Sequence, residues 1–215
     1  VVALKTLHFN NENFPVITGE TFELADFSEC EFTRINLSGA TFISCDFYDK
    51  ERNMGCSFHH GNIRETRFIN CDLSLSSFSY TDAFGAEFLN CRLIGADFEN
   101  ASFANLIAKN KFFCSGKIEN CNLSNANLAG IIMEDCILRE NKWFETDITK
   151  AIFKGSDLSN GEFSGIRWTD ADFTESDLRG SSLHGLDLRK VNLTGVKLDA
   201  WQISFLISEL GIIIS

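Results

Sequence analysis

The chain has 215 residues, with 30 Asp and Glu against 19 Lys and Arg, for a net charge of −11. That balance argues against a direct nucleic-acid binder, and no apolar run is long enough for a membrane span. A repeat covering residues 20–198 leaves no room for a second core, so one elongated domain is expected.

Residues 1–19 read as a lead-in and cap: His8 to Thr18 gives no clean repeat, and the single proline, Pro15, lies ahead of the repetitive region. From Phe22 every fifth residue is large and apolar through Phe27, Phe32, Leu37, Phe42 and Phe47. The series slips by one, resumes from Phe58 to Phe103, and continues from Phe113 to Leu198. Of these 34 centres only Ala83 is small, and 15 of the 21 phenylalanines stand on them. A period of five fits neither helical turns nor strand alternation, so the chain must turn at every unit and stack its units as a solenoid.

Each unit orders a small residue, a polar residue, the centre and two polar or small residues, as in Ala25-Asp26-Phe27-Ser28-Glu29. The small and large residues are expected to point inward. Seven of the eight cysteines (Cys30, Cys45, Cys56, Cys71, Cys91, Cys121 and Cys136) stand two before a centre, where other units carry alanine. They read as buried, reduced alanine substitutes in a cytoplasmic protein, with Cys114 alone off the slot. The residue between slot and centre is repeatedly acidic or amidic, as at Asp26, Asp46, Asp72, Asp97, Asn127 and Asp172. Two readings stay open for it: a backbone-bonding turn residue, and a charge displayed to solvent.

Two segments interrupt the pattern. Tyr48, Asp49, Lys50, Glu51, Arg52, Asn53 and Met54, closed by Gly55, form a charge-balanced loop at 48–55. Asn105, Leu106, Ile107, Ala108, Lys109, Asn110, Lys111 and Phe112 form a second at 105–112, which keeps the numerical frame without the unit pattern. Loops projecting from a rigid scaffold are candidate partner contacts, and apolar residues beside two lysines make the second the stronger. The tail, 199–215, reads as a helix with Asp199 at the N-cap and Gln202 completing a capping box. Its Trp201, Ile203, Phe205, Leu206, Ile207 and Leu210 offer more apolar surface than one cap needs, which points to a two-fold dimer interface. His59 and His60 lack spaced partners, no glycine-rich phosphate motif occurs, and the carboxylates follow the repeat; no enzyme, metal or cofactor is expected.

The unit resembles the pentapeptide-repeat consensus A(D/N)LXX over residues 20–198. The resemblance implies an all-β, right-handed quadrilateral β-helix of 20-residue coils, with two projecting loops and a C-terminal helix. Eight to nine coils at ~4.8 Å would make a rod roughly 40 Å long. Residues 39–49, 95–103, 155–163 and 195–199 further resemble segments of the Qnr quinolone-resistance family. That resemblance implies a homodimer that binds DNA gyrase and topoisomerase IV and protects them from fluoroquinolones by destabilising the drug-stabilised cleavage complex. The first loop sums to zero and the second to +2, which leaves −13 on the coils and tails. A dimer would carry one net charge per ~4 Å against one per ~1.7 Å in duplex DNA, a dilute mimic that steers the encounter while the loops supply specificity. The alternative is a pentapeptide scaffold for another protein.

Overall fold

The computed structural model describes residues 7–10, 17–109 and 111–209; Pro15, Asn110, Leu210 and the Ile212–Ile214 run lie outside the described residues. The first strands are β1 Leu7–Asn10, β2 Thr21–Glu23, β3 Ala25–Glu29, β4 Thr41–Ile43, β5 Tyr48–Asp49, β6 Met54–Gly55 and β7 Arg67–Ile69. There follow β8 Glu87–Leu89, β9 Ala104–Ala108, β10 Lys111–Cys114, β11 Lys117–Glu119, β12 Glu162–Phe163, β13 Ser182–Leu183 and the helix α1 Ala200–Glu209. One face of the rod is a five-stranded parallel sheet in the order β11-β8-β7-β4-β2. The other three faces are carried mainly by single parallel bridges such as Asp26↔Asp46, Ser57↔Ser77 and Asn62↔Asp82, with the short pairs β1–β3 and β12–β13 at the two ends of one of them. Four units therefore close one coil of a four-sided β-helix, and residues 20 apart become neighbours.

The ladder also measures the insertions. Pairing steps by 20 at Asp26↔Asp46, by 26 at Asp46↔Asp72 and by 30 at Arg92↔Asn122, so the first loop adds six residues and the second ten. Six residues shift the five-residue frame by one, whereas ten leave it untouched. This corrects the centre assigned to Phe113: it is 46% exposed on β10, and the next buried centre along the chain after Phe103 is Ile118. At the other end Ile17 is buried as one further centre, and β1 pairs with β3, so the stack begins before residue 20.

The centres form four columns in which rings stack offset at about the strand spacing. Phe32, Phe58, Phe78 and Phe98 have successive centroid distances of 4.8, 4.7 and 4.9 Å with planes within 14° of parallel. Phe42, Phe68 and Phe88 do the same at 5.2 and 5.1 Å. Burying one such ring contributes roughly 2–3 kcal/mol, so stability accumulates coil by coil.

Most units turn their corner by donating the N–H three residues after a centre back to that centre's carbonyl, as from Ile35 to Phe32 at 3.0 Å, whereas at corners such as Cys121 a side chain of the next coil accepts that N–H. The residue two after the centre is left-handed at nearly all of these corners, as at Arg34. Among the described residues, nineteen non-glycine corner residues have φ between 52° and 63°, including Leu24, Arg34, Leu75 and Lys150. A left-handed corner costs a non-glycine residue about 1–2 kcal/mol, which the ladder bonds to both neighbouring coils offset. Asn recurs at corners because its short polar side chain tolerates this conformation.

The slot cysteines are buried and free, as expected. Their equivalence to alanine needs correction, because their thiols also donate. Cys71, Cys91 and Cys121 bond the carbonyls of Phe42, Phe68 and Phe88, each one coil earlier, at 3.4, 3.3 and 3.3 Å. Thr146, Ser156 and Ser181 use their hydroxyls identically toward Leu123, Met133 and Leu158. The slot is thus an axial pin between coils. Burial pushes the thiols of Cys30 and Cys136 up to about 12, so they stay protonated at neutral pH.

Helix α1 closes the last coil. Gln202, 1% exposed, donates to the carbonyls of Leu178 and Ser181 at 2.7 and 2.8 Å and accepts from the Asp199 N–H at 2.7 Å. Only that arm of the expected capping box forms. The Asp199 carboxylate instead accepts the Gly180 N–H at 2.7 Å, a bond that a carbonyl would supply in a continuing coil. Because the Asp199 carbonyl turns inward to α1, its side chain takes over.

Candidate partner-binding loops

Both interruptions are antiparallel hairpins. In the first, β5 pairs with β6, with Tyr48 and Asp49 half-buried and Lys50, Glu51, Arg52, Asn53 and Met54 exposed. Its turn is internally tied: the Asp49 carboxylate accepts the N–H groups of Glu51 and Arg52, both at 2.9 Å, and lies 3.4 Å from the Arg52 guanidinium. Tyr48 donates its hydroxyl to Asn53, whose left-handed φ of 53° makes the return. Gly55 brings β6 flat onto the rod, since a Cβ there would overlap the backbone of Leu75 and Ser76. A cleft of about 540 Å³ separates this hairpin from the coils, lined by Asp26, Glu29 and Asp46 on the rod side.

The second hairpin runs from Ala104 to Cys114, wider at both ends than expected, with β9 and β10 in register at Ala104↔Cys114, Asn105↔Phe113 and Leu106↔Phe112. Ser115 closes its base on the Phe103 carbonyl at 3.0 Å. Leu106, Ile107 and Phe112 are 77, 68 and 40% exposed, and Ala108, Lys109 and Lys111 are exposed too; Asn105 is half-buried. Asn105 accepts from Arg64, and Phe113 packs edge-on against Phe84 with centroids 5.1 Å apart. The cleft under this hairpin, about 400 Å³, is lined by Arg64, Asp82, Ser102 and Ile132 of the rod. Arg64 and Phe84 were not foreseen as site residues. The available signal was Phe84, an aromatic in an outward position directly after the one small centre, Ala83.

Ten regular units lie between the hairpins, which is two and a half coils. The hairpins therefore leave from opposite sides of the prism, the first leaning over the face of Asp26 and Asp46 and the second over the face of Asp82 and Ile132.

The acidic positions resolve into both open readings, with the structural one first. Asp26, Asp46, Asp147, Asp157 and Asp172 each accept the N–H two residues on, at 2.9–3.1 Å. Several are also ion-paired across one coil: Arg67 with Glu87, Arg92 with Asp72, Arg139 with Glu119 and Arg167 with Asp147. Lys117 and Arg139 hold the Glu119 carboxyl below its ordinary value. The negative surface is thus more locally neutralised than a carboxylate count implies. Surface pairs of this kind stabilise little individually.

Of the tail residues, Leu206 is 4% exposed in the coil end, and Phe205 packs on the core and against the edge of His184 at 5.0 Å. Leu206 is therefore a cap residue rather than interface surface in the single chain, because the last coil leaves its column open to it. Trp201 and Ile203 face outward at 56 and 46% exposure, and Ile207 is half-buried.

A family model described as "Pentapeptide repeats" matches eight copies within residues 22–49, 119–165 and 162–195. Two curated proteins are similar over a 78-residue segment: the quinolone resistance pentapeptide repeat protein QnrB96 of Scandinavium goeteborgense at 45% identity, and the pentapeptide repeat protein QnrB4 of Escherichia coli at 46%. In each case the match spans 36% of this chain and 36% of the relative, little more than a third of the relatives' length. Solved structures extend it over the whole rod. A trypsin-treated form of QnrB1, described as a plasmid-mediated fluoroquinolone resistance protein, matches 98% of this chain and 100% of its own at 43% identity and a TM-score of 0.89. Full-length QnrB1 matches 96% of this chain and 95% of its own at 44% identity and a TM-score of 0.87.

Proposed function

Because the chain belongs to the Qnr family of pentapeptide-repeat proteins, we propose that it confers quinolone resistance by protecting type II topoisomerases from fluoroquinolones. The partners are DNA gyrase and topoisomerase IV, bound in the cytoplasm by a homodimer that makes no direct contact with nucleic acid. The observation that carries this reading is the second hairpin, where Leu106 and Ile107, the two most exposed large apolar residues among the described ones, stand with Phe112 in solvent beside two lysines. Exposed apolar residues at a loop tip on a rigid support are what a protein contact needs. The hairpins engage the enzyme near its DNA gate and destabilise the drug-stabilised cleavage complex.

The rod contributes reach and a long-range field. Its net charge of −11 favours encounter with a basic DNA-binding surface. Since many outward carboxylates bond their own backbone or an arginine one coil away, DNA mimicry is a steering effect and the hairpins hold the complex. The test is gyrase supercoiling with ciprofloxacin, with and without the protein. The intact chain restores supercoiling. A variant lacking residues 104–113 joins Phe103 to Cys114-Ser115-Gly116-Lys117-Ile118, an ordinary unit, and should melt like the parent while losing rescue. Equal rescue by that variant would assign the activity to the rod alone.

A further inference from the structure

We propose that Arg64 is a positioning residue that fixes the pose of the second hairpin on the rod. The inference rests on the reading of that hairpin as the partner contact, and it supplies what holds the contact still. A two-stranded hairpin is marginal in water by itself, so a hairpin that keeps one orientation must be packed against something. Arg64 stands on the rod face beneath it and makes three engagements in three directions. Its Nη1 donates to both oxygens of Asp82 at 3.1 Å, its guanidinium lies 4.6 Å over the ring centroid of Phe84, and its Nη2 donates to the Asn105 side-chain oxygen at 3.3 Å. Asp82 and Phe84 belong to the coil and Asn105 to the hairpin, so one planar cation spans the join.

A second contact runs beside it. Phe113 stands perpendicular to Phe84 at 5.1 Å, so both faces of the join meet on the Phe84 ring, one through the cation and one through the ring edge. Only a guanidinium performs all three tasks, because lysine offers a point charge without a fork or a flat face. Arg64 thereby sets where Leu106 and Phe112 present themselves without touching a partner.

The hairpin carries its own reporter, since Lys109 and Lys111 are trypsin sites at its exposed tip. Loss of the clasp should increase the open population, and with it limited cleavage after these lysines, about tenfold in Arg64→Ala, while the thermal midpoint of the rod stays that of the parent. Arg64→Lys should leave cleavage nearly as fast as Arg64→Ala does. In an Asn105→Ala background, Arg64→Ala should accelerate cleavage less than it does in the parent, because the two side chains act on one bond. An unchanged cleavage rate in Arg64→Ala, or protection restored fully by lysine, overturns the proposal. Gyrase rescue by the same variants separates the two readings: faster cleavage with undiminished rescue keeps the clasp and removes the hairpin as the partner contact.

Discussion

Asn141 offers the sharpest test of how the coils are pinned together. It occupies an inward slot at 0% exposure, with its side-chain oxygen accepting the Cys121 N–H at 2.8 Å and its amide donating to the carbonyls of Ile118 and Leu138 at 2.7 and 2.9 Å. Alanine fills the same slot in other units, so a view of the slot as mere space makes Asn141→Ala harmless. The pin view makes it severe, because one N–H and two carbonyls lose their partner inside a dry column, for a total of about 3–5 kcal/mol. For a domain of this size that lowers the thermal midpoint by roughly 6–20 °C. Cysteine already does this work one coil earlier, where Cys121 accepts the Cys91 N–H and donates to the Phe88 carbonyl, both at 3.3 Å. Asn141→Cys should accordingly cost no more than about 1.5 kcal/mol. Urea and thermal denaturation of the two variants make the comparison. An alanine variant within about 1 kcal/mol of the parent would show that the corner re-closes on its own backbone, as Ala126 does on Leu123 at 2.9 Å, and that the pin reasoning is wrong.

Two further outcomes are expected. Thiol labelling of the native protein should modify Cys114 alone, slowly because burial also raises its pKa, and rapid labelling of several groups would contradict the closed slots. Replacing Trp201 and Ile203 by glutamate should convert the proposed dimer to a monomer in ultracentrifugation with the cap intact, since Gln202 and Leu206 face the coil; a stable dimer would place the interface elsewhere.

The four-column core was legible because its signal recurs: any five-residue window fixes the phase, and Phe58, Phe78 and Phe98 then fall into line. The second insertion was partly hidden by arithmetic. Ten residues are two whole units, so Phe113 kept a centre's number while losing its environment. The left-handed corners at Leu24 or Lys150 carry no mark in residue type, because the ladder dictates the backbone there and overrides local preference. The cross-coil ion pairs were within reach, since Arg67 and Glu87 differ by 20. Arg64 was not, as its role depends on which way the inserted hairpin leans.

The placement of the hairpins makes the chain a two-coordinate addressing system. Each added five-residue unit between them would rotate the second hairpin by a quarter turn about the axis, and each added set of four would return it to the same azimuth ~4.8 Å further along. Ten units give a half turn, so a partner touching both hairpins must reach around the prism or approach it from two sides. Length changes in multiples of 20 residues would alter only height, whereas a change of ten would bring both hairpins to one face. The repeat count between Phe47 and Phe103 is therefore a geometric parameter in its own right, independent of the residues that fill it.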